Sequence, residues 1–511
     1  MKKFISPLRI LWFCVLAPML PAQTKLDKDS LSRYANAALA QWNVPGMAIS
    51  VVLNDSMIYA KGFGVKTVGK NDPVDANTNF SIASLTKAMT AASMGILVDE
   101  GRVRWDDPMS NYLPEFKMYD PYVTQAMTIR DLLSHRSGLE TFSGDLVWYG
   151  THYDRSEVLR RARYLQPKYG FRAKYGYQNI MYLAAGEVVG RVSGKGWDDF
   201  IRERIFIPLG MTRTITRFAD IRTMTNIATP HAIVDFKPVP VEYRNWDNVA
   251  PMGSTVSNVV DMAQWIRLQL GRGTYEGRTI YSTAVAREMW QPHTLMDISE
   301  NGERAMPSRH FLAYGLGWTM HDYHGKKILT HSGGADGMVS RLVLIPEDRF
   351  GFVILTNSIN GLTTPMIYHI IDMHLGKNEK DWDAFYWEFN KRAELKEIAD
   401  RKKTDSLRVK NTKPTLKIEA YAGIYGGELY GDVEVKTEKD KLTIRFLPTS
   451  TFTGTLTHWH YDTFQITLQD KNLPTGFATF TLDAAGKPDE LKIDIPNPDF
   501  DFTELKLKRK R

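Results

Sequence analysis

Phe80-Ser81-Ile82-Ala83-Ser84-Leu85-Thr86-Lys87 sets a hydroxyl and an amine three residues apart at the entrance to a long apolar segment. From Leu85 to Val98 there is no proline and one glycine, Met89, Ala92 and Ile96 mark an apolar stripe, and Gly101 supplies a stop. A helix is expected there. Residues i and i+3 share a helix face, so the Lys87 amine can lie against the Ser84 oxygen and help remove its proton, as a weak nucleophile requires. The spacing alone decides little, since S-x-x-K arises by chance about once or twice in a chain of this length, and the same residues suit a first helical turn with a solvated lysine.

Two later segments sharpen the reading. Tyr175-Gly176-Tyr177-Gln178-Asn179 leads into the apolar run Ile180 to Val189, offering a phenol as proton shuttle and an amide as a ligand for substrate or lysine. Tyr34-Ala35-Asn36 and Tyr243-Arg244-Asn245 share the Y-x-N pattern, and position favours Tyr177. Further on, Leu329-Thr330-His331-Ser332-Gly333-Gly334 ends a β-like run in paired glycines before a second strand, Arg341 to Ile345. Glycines let a backbone approach closely. An edge strand there could bind an acyl carbonyl oxygen between the Ser84 and Gly334 amides, with His331 donating to the substrate or the tetrahedral intermediate. A hairpin turn with a satisfied histidine is the plain alternative.

In that order, Ser84-x-x-Lys87, Tyr177-x-Asn179 and His331-x-Gly333 resemble the serine β-lactamase-related family. The likeness is strongest to its class C-like branch of D,D-peptidases, D-amino-acid peptidases and amidases, carboxylesterases and class C β-lactamases. Phe80 to Ala83, Thr128 to Leu139, Ile207 to Met211 and Tyr314 to Trp318 are further landmarks of the same resemblance. It implies an α/β fold, an antiparallel sheet flanked by helices with a helical insertion. It makes Ser84 the nucleophile, gives Lys87 and Tyr177 the general acid and base work, and places Asn179, His331, Gly333 and Gly334 at the substrate. Whether Lys87 or Tyr177 takes the proton stays open, because a lysine serves only if burial or a cationic neighbour depresses its pKa. His135, in a segment that reads as a helix-ending turn, is taken as structural.

One departure bears on substrate. Class C β-lactamases and many penicillin-binding proteins carry lysine where this chain has His331. A histidine with a pKa near ~6.5 is mostly neutral at neutral pH and draws a carboxylate less strongly, which argues against an efficient β-lactamase. Arg341 is a candidate replacement for the missing charge.

The chain has 511 residues, 43% of them hydrophobic and 24% charged, enough for two domains with substantial cores. Lys2, Lys3, the apolar run Ile10 to Leu20 and Ala22 read as a secretory leader, residues 1–22. Its removal leaves 62 basic against 58 acidic residues, +4, which is no nucleic-acid signature, and it takes away Cys14, the only cysteine. A periplasmic or secreted protein without an integral membrane segment is expected. Residues 23–376 form the expected catalytic region and 377–414 a charged helical connector. From 415 to 511 the alternation of Val433, Val435, Leu442, Ile444 and Phe446 predicts a small β-barrel or sandwich. The basic tail Lys506 to Arg511 reads as a frayed, solvated terminus. His458 and His460 lack a third ligand nearby, and no metal or cofactor is expected.

The function these readings favour is a serine hydrolase that forms an acyl-enzyme on Ser84 and cleaves amide or ester bonds, of D-amino-acid peptides or small esters. The alternatives are a penicillin-binding D,D-peptidase or acylatable sensor with slow turnover, acting on peptidoglycan-derived peptides, and a noncatalytic envelope-binding protein.

Overall fold

Eight antiparallel strands carry the catalytic region of this computed structural model, which describes residues 26–377, 380–439 and 441–510. The expected leader, with Cys14, lies outside the described residues. Across the sheet the strands run Ser56–Gly64, Gly46–Leu53, Phe350–Thr356, Met338–Ile345, Lys326–Ala335, Thr319–Tyr323, Leu312–Tyr314 and Thr294–Leu295. The first two form a hairpin. Its two turn residues, Asn54 and Asp55, both hold positive φ (48° and 66°), the geometry a two-residue connection between right-twisted strands requires. The N-terminal strand Gly46–Leu53 then pairs with Phe350–Thr356, so both ends of the catalytic region meet in one sheet.

The sheet is covered on both faces. Met47, Ile49, Val51, Phe350, Phe352 and Ile354 pack under the helices Lys28–Gln41, Thr363–Leu375 and the start of Trp382–Ser406. Ala48, Val52, Val353 and Leu355 join the opposite core, with the helices Thr86–Asp99, Asn179–Ser193 and Val259–Leu270. Alternate residues of one strand thus enter two cores, as the period of two dictates. The helix after Ser84 is buried at every residue from Thr86 to Leu97, so the apolar stripe read from the sequence understates it. It is a central helix, enclosed by the sheet and the helical insertion.

The C-terminal part is a closed eight-stranded antiparallel barrel, Gly423 to Arg509. The basic tail is not frayed. Leu507–Arg509 is the strand that closes the barrel between Gly423–Gly427 and Pro488–Asp494, because Leu505 and Leu507 are buried in it while the lysines between and after them point outward. His460 accepts from the Val409 amide and a bulge separates it from His458. Among the described residues no group of three or more metal-ligating side chains occurs, and no helix is long and apolar enough to cross a membrane.

The barrel docks on the catalytic region through charged anchors. Arg244 reaches Asp336 at 2.8 Å on its own side and Asp470 of the barrel at 2.6 Å, over the Tyr149 ring. Glu504 of the barrel accepts from the Gly144 amide at 2.9 Å and from Ser143 Oγ. Phe500 packs on Tyr149, their ring centroids 4.3 Å apart.

Candidate active site

Ser84 sits in a single 3-10 turn, Ala83–Leu85, that opens into the central helix. Ala83 before it holds φ at 46°, a left-handed conformation that costs a non-glycine residue on the order of 1 kcal/mol. The strand Lys326–Ala335 overdetermines that turn. Gly333 presses against it so closely that a Cβ would collide with the Ile82 carbonyl and Ser340 Oγ, and Ser340 Oγ itself donates to Ile82 O at 2.7 Å. Gly334 faces open space. Gly317, in the Tyr314–Trp318 landmark, lies against the same helix, where its Cβ would come within 2.6 Å of Ala88 Cα.

Lys87 is fully buried, its amine 2.9 Å from Ser84 Oγ, 2.8 Å from Asn179 Oδ1 and 3.0 Å from the Met252 carbonyl. Burial drives its pKa well below the usual lysine value. A neutral amine has two N–H donors and one lone pair. The two carbonyl acceptors take both donors, so the lone pair is left for the Ser84 hydroxyl. Tyr177 completes the group: its ring centroid stands 4.7 Å from the Lys87 amine, it lines the same cavity as Ser84, and burial holds its pKa well above the ordinary phenol. It is therefore a proton donor, not a phenolate.

Asn179 is placed by a residue that sequence reasoning passed over. Its Nδ2 donates to Asp145 Oδ2 at 2.6 Å. The Asp145 carboxyl is buried, accepts also from Trp148 Nε1 at 2.9 Å, and is pushed by burial up to about 8. Asp145 belongs to no motif, and only the folding of the Phe142–Tyr149 segment onto the Asn179 helix brings it here. Nothing in its local sequence announces this.

His331 lines the cleft, but its ring is committed. Nε2 lies 2.9 Å from the Tyr314 hydroxyl and Nδ1 2.7 Å from the Ser332 carbonyl. Burial lowers its pKa to about 3. A neutral ring that donates from Nδ1 to Ser332 and accepts at Nε2 satisfies both partners, so the expected donation to substrate would require those bonds to be given up. His135 is buried in the aromatic layer beneath. It holds φ at 55°, accepts from the Gln178 backbone amide at 3.0 Å and packs at a tilt against the Tyr177 ring, centroids 4.3 Å apart. Tyr34 and Tyr243, the other Y-x-N matches, serve packing: Tyr34 stacks on His369 and Tyr243 donates to the Ala228 carbonyl.

These groups open into a cleft of about 660 Å³ whose aromatic lining includes Phe142, Trp148, Tyr149, Tyr175 and Trp246. Arg341 reaches it from the sheet, donating to Thr363 Oγ1 at 3.3 Å and meeting no carboxylate among the described residues. The remaining wall comes from the barrel, where Asn472 and the loop Asn497, Pro498, Asp499, Phe500 face the catalytic residues. Phe142 to Tyr149 and Trp246 to Met252 supply part of the lining, and the barrel's share was not read from the sequence.

The beta-lactamase family profile matches residues 31–365. The chain belongs to the beta-lactamase family. Residues 407–509 match a domain of unknown function, DUF3471. This beta-lactamase family member is 30% identical over 451 residues to unguisins hydrolase ungD of Aspergillus violaceofuscus, covering 81% of this chain and 77% of that protein. It is 27% identical over 360 residues to protein flp of Staphylococcus aureus, 68% of this chain and 67% of the relative. In fold it is similar to a penicillin-binding protein homologue from Pyrococcus abyssi (TM-score 0.63, 21% identity, 94% of this chain and 100% of the other). It is also similar to a D-stereospecific amidohydrolase from Streptomyces (TM-score 0.55, 20% identity, 68% and 98%). The protein is a serine hydrolase with a β-lactamase/transpeptidase-like fold and a C-terminal all-β barrel.

Proposed function

We propose that the protein is an exported acyl-transfer hydrolase that cleaves amide or ester bonds of D-amino-acid peptides or small esters through an acyl-enzyme on Ser84. The observation that carries this is the buried Lys87 amine, whose two donors are held by Asn179 and Met252 while Ser84 Oγ lies 2.9 Å away. In acylation, the Ser84 proton passes to the Lys87 lone pair as Oγ bonds to the substrate carbonyl carbon. The oxygen's charge develops toward the Gly333-Gly334 backbone. The Tyr177 phenol, in the same cavity as Ser84, hands a proton to the departing amine or alkoxide and recovers it through Lys87. Water then repeats the sequence on the ester. The proteins it resembles include an unguisins hydrolase and a D-stereospecific amidohydrolase, and the second of these supports the amide reading.

The reading of Arg341 as a carboxylate anchor follows from its place in the cleft without a carboxylate partner among the described residues. The leader-like residues 1–22 support export to the periplasm or beyond. Time-resolved intact-mass spectra of the protein and of Ser84→Ala, each with a penicillin, a D-Ala-D-Ala peptide and an aryl ester, test the proposal. A transient Ser84-dependent adduct with accumulating product is expected. A persistent penicillin adduct would shift the reading to a slow D,D-peptidase or sensor, and turnover that survives Ser84→Ala would overturn it.

A further inference from the structure

The barrel does not merely neighbour the cleft. Its loop at Asn497–Phe500 is a rigid part of the wall, held as an asparagine turn in which Asn497 Oδ1 accepts from the Asp499 and Phe500 amides at 2.8 and 3.1 Å. Pro496 and Pro498 stiffen the segment, and Phe500 locks it onto Tyr149 at 4.3 Å. The loop's one ionisable side chain, Asp499, is solvent-open at the cleft mouth and shares the cavity with Ser84.

Its surroundings are acidic. Asp336 lies close enough to feel Asp499 electrostatically, but Arg244 pairs with Asp336 at 2.8 Å and Tyr149 donates to it at 2.5 Å. Asp145, also within electrostatic reach of Asp499, is occupied by Asn179 and Trp148. Asp499 alone of the three makes no ion pair or side-chain hydrogen bond among the described residues. A carboxylate left unsatisfied on the wall of a substrate cleft is complementary to a substrate cation. The cation in the cleft lining, Arg341, stands on the sheet and is suited to an anion.

We propose that Asp499, carried by the barrel, is a specificity-determining residue that selects acyl substrates bearing a free ammonium group on the barrel side of the cleft. The inference deepens the hydrolase reading and rests on it for the bond cleaved, but not for the binding preference.

Two measurements separate them. In the first, kcat/KM for D-alanine p-nitroanilide is divided by that for its N-acetyl counterpart, in the native enzyme and in Asp499→Asn. The ratio should fall about fivefold, the order that a solvent-open charge pair gives, with the change in KM. In the second, Ser84→Ala should bind the free amine more tightly than the N-acetyl compound by calorimetry, and the preference should vanish in the Ser84→Ala, Asp499→Asn double variant. Raising salt should erode it too. An unchanged ratio, or equal or absent binding of the two compounds to Ser84→Ala, overturns the proposal. Absent turnover in the native enzyme with the binding preference intact would instead overturn the hydrolase reading and leave the charge preference standing.

Discussion

Asn179 gives its Nδ2 to Asp145 at 2.6 Å and thereby turns its carbonyl oxygen toward Lys87. The acidic side chain fixes which end of the amide the lysine meets. In Asp145→Asn one of the two oxygens that accept from Asn179 and Trp148 becomes an NH2 group, so Asn179 is free to rotate and point an N–H at the amine that needs an acceptor. A loss of about ten- to hundredfold in kcat/KM for an aryl ester is expected, the scale of a small misplacement in a catalytic group. A change under twofold, with the fold intact by circular dichroism, would show that Asp145 only fills space.

Acylation should follow the neutral fraction of Lys87. Burial lowers its pKa well below 10.5, so the single-turnover rate with an aryl ester should rise with pH and reach its plateau well under that value. A limb near 10.5 in such a profile would mean that Lys87 is not the proton acceptor. Lys87→Ala should cost at least about a thousandfold in kcat, as for members of a nucleophile–base unit.

Gly333 and Gly334 should respond differently to the same methyl group. Gly333→Ala forces a Cβ into the Ile82 carbonyl and Ser340 Oγ, whereas Gly334→Ala meets nothing within 4 Å. Urea unfolding should find the first variant about 1–3 kcal/mol less stable and impaired in acylation, the second near native in stability. Equal midpoints would contradict the close approach of strand to nucleophile turn.

His331 should make the protein acid-sensitive. Its folded pKa of about 3 lies below the ordinary 6.5, so the unfolded chain binds the extra proton between those values. The stability it permits is present above pH 6.5 and is lost as pH falls from there toward 3. His331→Gln should narrow the drop in urea midpoint between pH 7 and pH 4.5. His135, whose pKa is also lowered by burial, would keep part of it. An unaltered drop would show that His331 is charged or solvated in the fold.

Arg341→Ala should raise KM for an acyl substrate ending in a carboxylate about fivefold relative to its uncharged analogue. Parallel changes for both substrates would remove Arg341 from carboxylate recognition.

Much of this site is legible in the sequence because its chemistry is local. Ser84 and Lys87 meet through one helical turn, Tyr177 and Asn179 through one loop entering a helix, and the glycine pair through one strand. The hairpin at Asn54-Asp55 is likewise announced by its turn residues. What escaped reading depends on distant packing. Asp145 becomes a partner of Asn179 only when a loop with no motif is folded under it. His331 looks like a free donor until Tyr314 and Ser332 are seen to occupy its ring. The basic tail looks solvated because five of its last six residues are lysine or arginine, and the apolar pair Leu505 and Leu507 that helps close the barrel is too short to register as a strand by itself.

The wall loop at Asn497–Phe500 is outside both hydrophobic cores at Pro498 and Asp499, yet it borders the same cavity as the nucleophile. Substitutions there are uncoupled from the residues that hold the fold and from those that move protons. A small library at these positions is consequently an economical route to redirecting which molecules enter, and divergence at this loop would let related chains change diet while inheriting their machinery unaltered.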